Sequence, residues 1–192
     1  MTEIALHLLD MLENSAKAGA TSVRVFLEED DEEGNLVLEV RDDGRGMSAG
    51  EVSRALEPFF TTAPGKRAGM GLALLRGSAE AAGGGVSIRS SPGKGTVVRA
   101  TFKMRSVDRP PVGDVPGTIE AFLACHPGMD LDFTWKTRSG TFRLTTRDGI
   151  PPGETDWLDR VTCFAGKLAK GLKDAGFEPD KGGFEIEVET RS

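Results

Sequence analysis

The sequence predicts an α+β protein in two parts: a larger part over residues 1–105 and a small α-β-β-α-β part over residues 117–192, joined by a linker at 106–116. Three observations predict it. Helical and strand periodicities alternate along the chain. No apolar run approaches the ~20 residues needed to cross a bilayer. Aromatic residues redistribute at Arg109-Pro110-Pro111: of twelve, only Phe26, Phe59, Phe60 and Phe102 precede that point, while Trp135, Trp157 and six phenylalanines follow it. Two separate cores are the expectation.

The elements follow in order. Leu6, Leu9, Leu12 and Ala16 give an opening helix an apolar face, and Gly19 stops it. Val23–Leu27 and Leu36–Val40 alternate as strands around an acidic stretch, Glu28 to Asn35, whose six consecutive carboxylates read as a solvated hairpin tip. A short helix and a glycine-rich loop come next. A second helix spans Gly71 to Ala82, with Gly83-Gly84-Gly85 as its stop. Val86–Ser90 and Thr96–Phe102 close a hairpin through Pro92-Gly93-Lys94-Gly95. Beyond the linker, Thr118 caps a short helix to His126, which Pro127 ends. Strands Leu131–Thr137 and Thr141–Thr146 join at Ser139-Gly140. A helix then lines up Trp157, Val161, Phe164, Leu168 and Leu172, with Lys167, Lys170 and Lys173 near its negative end and Gly176 as its stop. Phe184-Ile186-Val188 is the last strand.

Composition narrows the function classes. A net charge of -6 argues against a mainly electrostatic nucleic-acid binder. No leader of charged then apolar residues opens the sequence, so a cytoplasmic protein without a membrane span is expected. Cys125 and Cys163 have no metal-ligand spacing and read as buried thiols. Glycine is in excess: 25 of 192 residues, roughly twice the usual ~7%. No repeat or linker tract absorbs them, so turns, helix ends and ligand loops must.

Four segments carry chemistry. Asp10 and Asn14 lie four residues apart on one helix face, with Glu13 and Lys17 nearby. An amide oxygen beside a carboxylate suits a hydrated divalent cation and an activated water, although such a pair also suits a solvated helix face. In Asp42-Asp43-Gly44-Arg45-Gly46-Met47, glycines permit close backbone approach, and a carboxylate can accept from an exocyclic amine such as that of adenine; a tight turn explains the segment equally well. The run Pro58-Phe59-Phe60-Thr61-Thr62-Ala63-Pro64-Gly65-Lys66-Arg67-Ala68-Gly69-Met70-Gly71-Leu72 leads a basic loop into a helix start, where backbone N–H groups and Lys66 or Arg67 can face phosphates. Ser91-Pro92-Gly93-Lys94-Gly95-Thr96 is a glycine hairpin whose Thr96 can bring a hydroxyl to the same place. Dinucleotide-loop and P-loop readings fail. Leu74 stands where the first needs a third glycine, and Gly93-Lys94-Gly95-Thr96 lacks the contiguous Gly-Lys-Ser/Thr of the second.

In this order the four segments resemble the GHKL ATPase superfamily, which groups gyrase, a heat-shock chaperone, histidine kinases and MutL. The chain is closest to the catalytic ATP-binding domain of histidine kinases, over residues 1–105. The resemblance implies a two-layer sandwich, the Bergerat ATP-binding fold, with a mixed sheet and helices on one face. It implies ATP and Mg2+ as cofactors. Asn14 would hold the magnesium, with Lys17 nearby; Asp42 would bind the adenine amine; Gly44, Gly46 and Met47 would make room for the ring. Phe60, Thr61, Thr62 and Lys66 match the kinase F-box and lid, Gly69, Met70, Gly71 and Leu72 the glycine box over the phosphates, and Thr96 the last box. The part beyond the linker resembles no named family.

Departures bear on mechanism. Asp10 stands where the hydrolysing branches place a glutamate base. The sequence contains no helical hairpin bearing a phosphoacceptor histidine, and neither His7 nor His126 is a good substitute; His7 instead reads as a partly buried helix residue one turn before Asp10. The strand that precedes the first helix in kinases is absent, and Phe184–Val188 or a partner chain is expected to fill its edge. The expected function is a signalling kinase, on histidine or serine, or a slow ATPase acting on a separate protein partner. The alternative is a non-catalytic ATP-dependent switch, followed by a MutL-like ATP-driven clamp. A homodimer is compatible with each.

Overall fold

Period-two alternation of apolar and polar residues builds the sheet, and its register decides which side chains meet the helices. In the computed structural model, which describes residues 3–60, 69–149 and 156–177, β1 (Ser22–Asp30) runs antiparallel to β2 (Asn35–Asp42), with Val25 opposite Val40 and Leu27 opposite Leu38. β3 (Gly85–Ser90) and β4 (Thr96–Lys103) form a hairpin, and β4 pairs with the other edge of β2. Beside β1 stands β5 (Asp130–Thr137), parallel to it, and then β6 (Gly140–Thr145). The result is one six-stranded mixed sheet in the order β3-β4-β2-β1-β5-β6.

One face of this sheet carries Val23, Val25, Leu27, Leu38, Val40, Ala100, Phe102, Leu131, Phe133 and Trp135, all buried. Against them pack α1 (Ile4–Lys17), α3 (Gly71–Ala81), α4 (Val115–Cys125) and α6 (Trp157–Asp174). The opposite face is laced by cross-strand ion pairs: Arg99 to Glu39 at 3.3 Å, Arg143 to Asp132 at 2.7 Å and Lys136 to Glu28 at 2.6 Å. The Arg143 guanidinium holds the Asp132 carboxyl below its ordinary range. Two short helices, α2 (Ala49–Arg54) and α5 (Thr146–Gly149), complete the described elements. Among the described residues, no helix is long and apolar enough to cross a membrane.

Several expectations change. The aromatic-rich part does not make a second core: Phe122, Phe133, Trp135 and Phe164 belong to the same buried cluster as Leu8, Leu12 and Val25. The first helix is rotated from the expected phase. Ile4, Leu8, Met11, Leu12 and Ser15 are buried while Leu6 is 49% exposed, because the helix is wedged against the sheet, α3 and α4 together. The helix after the linker starts at Val115 rather than Thr118. Asp114 caps it by accepting from Gly117 N–H at 2.9 Å, and Pro116 occupies its first turn.

The linker itself is fastened. Pro111 and Val112 carbonyls accept from Ile4 and Ala5 N–H, each at 2.9 Å, which satisfies donors that the start of α1 would otherwise leave open. Half of the acidic run is strand rather than tip, since Glu28, Glu29 and Asp30 belong to β1. Both cysteines are exposed, because they sit on α4 and α6 away from the arcs of Ile119 and Phe122 and of Val161 and Phe164 that face the core. The edge beside β1 is taken by β5; Phe184–Val188 lies outside the described residues.

Candidate functional site

A cleft of about 410 Å³ opens between α1, the end of β2, the start of β4 and the first turn of α3, within the size range of small-molecule sites. Three exposed residues of α1 line it at helical spacing: Asp10, Asn14 and Lys17. Asp10 stands against the start of α3, so close that a Cβ added to Gly71 would lie 3.1 Å from its Oδ2. Gly69, Met70, Gly71 and Leu72 form the wall there. No side chain caps α3, whose N-cap residue is Met70, so its first N–H groups and positive dipole end face the cleft.

Asp42 lines the cleft at the end of the sheet. It ends β2, and its register opposite Val23 turns the side chain to the helix face. Oδ1 accepts from Gly44 N–H at 2.9 Å and Thr96 N–H at 3.1 Å, and Oδ2 from Ser15 Oγ at 3.1 Å. These donors fix the carboxylate and leave acceptor capacity on Oδ2 for a ligand amine. Its neighbour Asp43 serves the fold. Burial pushes its carboxyl up, but bonds from Ser22 and Thr21 outweigh this and hold it below the ordinary value.

The glycines of the two turns are required by one another. Gly46 has φ +68° and a Cβ there would collide with the Ser91 carbonyl; Gly95 has φ +73° and its Cβ would strike the Asp42 carbonyl. Gly46 and Met47 line the cleft, whereas Gly44 is buried behind it, where a Cβ would lie 2.9 Å from that of Ala18. Thr96 also lines it, but its hydroxyl pairs with Ser90 Oγ at 3.0 Å, and it is its backbone N–H that reaches Asp42. Phe60 closes the remaining side with the Arg54 guanidinium 4.6 Å above its ring. Thr61, Thr62, Lys66 and Arg67 lie outside the described residues.

Two residues escaped the sequence reading. Ser15, 3% exposed, orients Asp42, and Ser90 accepts from Met47 N–H at 2.8 Å while donating to the Gly95 carbonyl at 2.8 Å. A serine on the buried arc of an amphipathic helix was the one available signal for the first. The histidines are placed plainly. His7 is 1% exposed and joins α1 to α3 through Nε2 and Ser78 Oγ at 3.0 Å, with burial lowering its pKa and Asp10 pulling it back up. His126, at the C-cap of α4, sets Nε2 2.9 Å from Glu13 Oε1, a bond that holds the Glu13 carboxyl below its ordinary range. Glu13 in turn stands 3.5 Å from Lys17 Nζ.

Comparison with known proteins adds the following. The family described as histidine kinase-, DNA gyrase B- and HSP90-like ATPase matches residues 2–106. The sensor histidine kinase YxdK of Bacillus subtilis is 34% identical over 93 residues, 46% of this chain and 27% of that protein. The cell-division control histidine kinase PdhS of Brucella suis biovar 1 is 35% identical over 108 residues, 49% of this chain and 10% of that protein. The chain thus spans about a quarter of one relative's length and a tenth of the other's. Among solved structures, the N-terminal domain of a DNA repair protein superposes with a TM-score of 0.57 at 11% identity, covering 86% of this chain and 57% of that one. At that identity the likeness is one of fold, and it reaches beyond the part that the family matches.

Proposed function

This chain belongs to the histidine kinase-, DNA gyrase B- and HSP90-like ATPase family through residues 2–106, and from that premise we propose that its cleft binds ATP with Mg2+ and that the protein is a signalling kinase or slow ATPase acting on a separate protein partner. The observation that carries the reading is the fixed carboxylate of Asp42 in one cleft with Asn14 and the uncapped start of α3. The donor set fits a nucleotide: an acceptor for an exocyclic amine, N–H groups and Lys17 for phosphates, and one amide oxygen for a cation. Magnesium keeps most of its waters and needs few protein ligands, so Asn14 alone is a reasonable anchor; when bound, the ion neutralises phosphate charge. Asp10 is exposed at the phosphate end and is the candidate base for an incoming hydroxyl or water.

Titration calorimetry of ATP with and without Mg2+ tests the binding step; Asn14→Ala is expected to remove the magnesium dependence while leaving adenosine binding intact. Absence of ATP binding overturns the reading. Incubation with labelled ATP and candidate protein partners tests transfer. One observation favours the second reading, an ATP-dependent switch: residues beyond 106 attach to the helix that carries Asp10 and Asn14, through the Pro111 and Val112 carbonyls. Under it, partner affinity changes between ATP and ADP while no label is transferred.

A further inference from the structure

The part of the chain beyond the family match reaches a cleft residue through a relay of side chains. His126 ends α4, and its imidazole lies 4.6 Å from the Phe122 ring, which limits how the imidazole turns. Its Nε2 is 2.9 Å from Glu13 Oε1, and the second oxygen of the same carboxylate, Oε2, is 3.5 Å from Lys17 Nζ. Lys17 lines the cleft; Glu13 does not. Exposure rises outward along the relay, with side chains 28%, 33% and 46% accessible. Glu13 therefore divides its two oxygens between a partner on α4 and a partner that faces the ligand.

We infer that His126 is a positioning residue for the nucleotide phosphates, acting through Glu13 on Lys17. The inference rests on the reading of the cleft as an ATP site. Lys17 can turn to a phosphate only by loosening its hold on Glu13, and a carboxylate already bonded on its other oxygen gives up that cation at lower cost. With His126 removed, Lys17 is the remaining partner of Glu13 among the described residues, and the i,i+4 pair holds the cation back from the ligand. The pairing thereby lets α4 govern how available a phosphate-facing lysine is.

The test is calorimetry on the full chain with two ligands, ATP and adenosine, since only the first presents phosphates. His126→Ala is expected to weaken ATP binding by about twofold and to leave adenosine unchanged. His126→Gln, whose amide N–H can still donate to Glu13, is expected to restore most of the ATP affinity. In a Glu13→Ala background, His126→Ala is expected to change nothing. Equal weakening of ATP and adenosine means a merely structural role and overturns the inference, as does an effect of His126→Ala that survives in the Glu13→Ala background. An unmodified chain that binds neither ligand overturns the ATP reading itself, and that outcome is visible before any variant is made.

Discussion

The two halves of the sheet are built for different ends. Around β5, β6, α4 and α6, large side chains such as Phe133, Trp135 and Phe164 are fully buried in one cluster, and the Trp135 ring lies 4.3 Å from that of the partly buried Phe177. Around β2, β3 and β4, Leu38, Val40, Ala100 and Phe102 join the same core. Where these strands end at the cleft, however, the contacts join backbone to serine and serine to carboxylate, and Gly46 and Gly95 stand where a methyl group would collide. The first half is held by volume; the second adds to its buried core a cleft end that sets the direction of a few polar atoms. Substitutions should therefore separate stability from binding according to the half they strike.

The largest expected effect is Phe133→Ala, which empties a fully buried position and should cost about 3–5 kcal/mol of unfolding free energy. Urea denaturation measures it, and ATP affinity of the folded fraction should stay within twofold. A matching loss of affinity would erase the contrast between the halves. Asp42→Asn is expected to do the reverse. Its remaining carbonyl can still accept from Gly44 and Thr96, but the ligand amine meets a donor, so ATP binding should weaken about tenfold or more, or ~1.5–3 kcal/mol. Calorimetry reads that change, and the urea midpoint should barely move. Ser15→Ala removes one bond to Asp42 and should cost ~1 kcal/mol, shared between stability and binding. Both readouts on one variant would show how far the orientation of Asp42 matters beyond its presence.

The smallest effect is a pH dependence. Burial lowers the His7 pKa from 6.5, against the pull of Asp10. The folded protein then binds this proton at a lower pH than the unfolded chain does, so the stabilisation is complete above pH 6.5 and is lost as pH falls below it. Between about pH 7 and 5.5 the urea midpoint should fall less in His7→Leu than in the parent chain. An identical slope in both would mean that carboxylates alone set the dependence.

Local pattern made the strands among the described residues, their hairpins and the extents of both long helices legible, though not the buried face of the first, because alternation and glycine stops are short-range signals. The residues around Asp42 and Gly69–Leu72 were legible for a different reason: they form motifs with a fixed order. The parallel pairing of β1 with β5 was not, since Val25 and Phe133 lie more than a hundred positions apart and nothing local announces their contact. The redistribution of aromatics at Arg109-Pro110-Pro111 suggested two cores because composition records which residues are apolar and not where they pack; the later aromatics join the first core, and the Pro111 and Val112 carbonyls close the start of α1. His126 looked idle for the same cause: its partner, Glu13, comes from the far end of the sequence.

That β1 is flanked on one side by β2 and on the other by β5 also has a consequence for the chain as it is made. When residues through Lys103 have left the ribosome, β1 already has its hairpin partner, but the edge from Ser22 to Glu28 still bears unpaired N–H and carbonyl groups until Thr137 follows. At ~5–20 residues per second, that interval lasts on the order of a few seconds. During it the nascent protein presents a central strand as a bare edge, the state in which intermolecular strand pairing competes with folding.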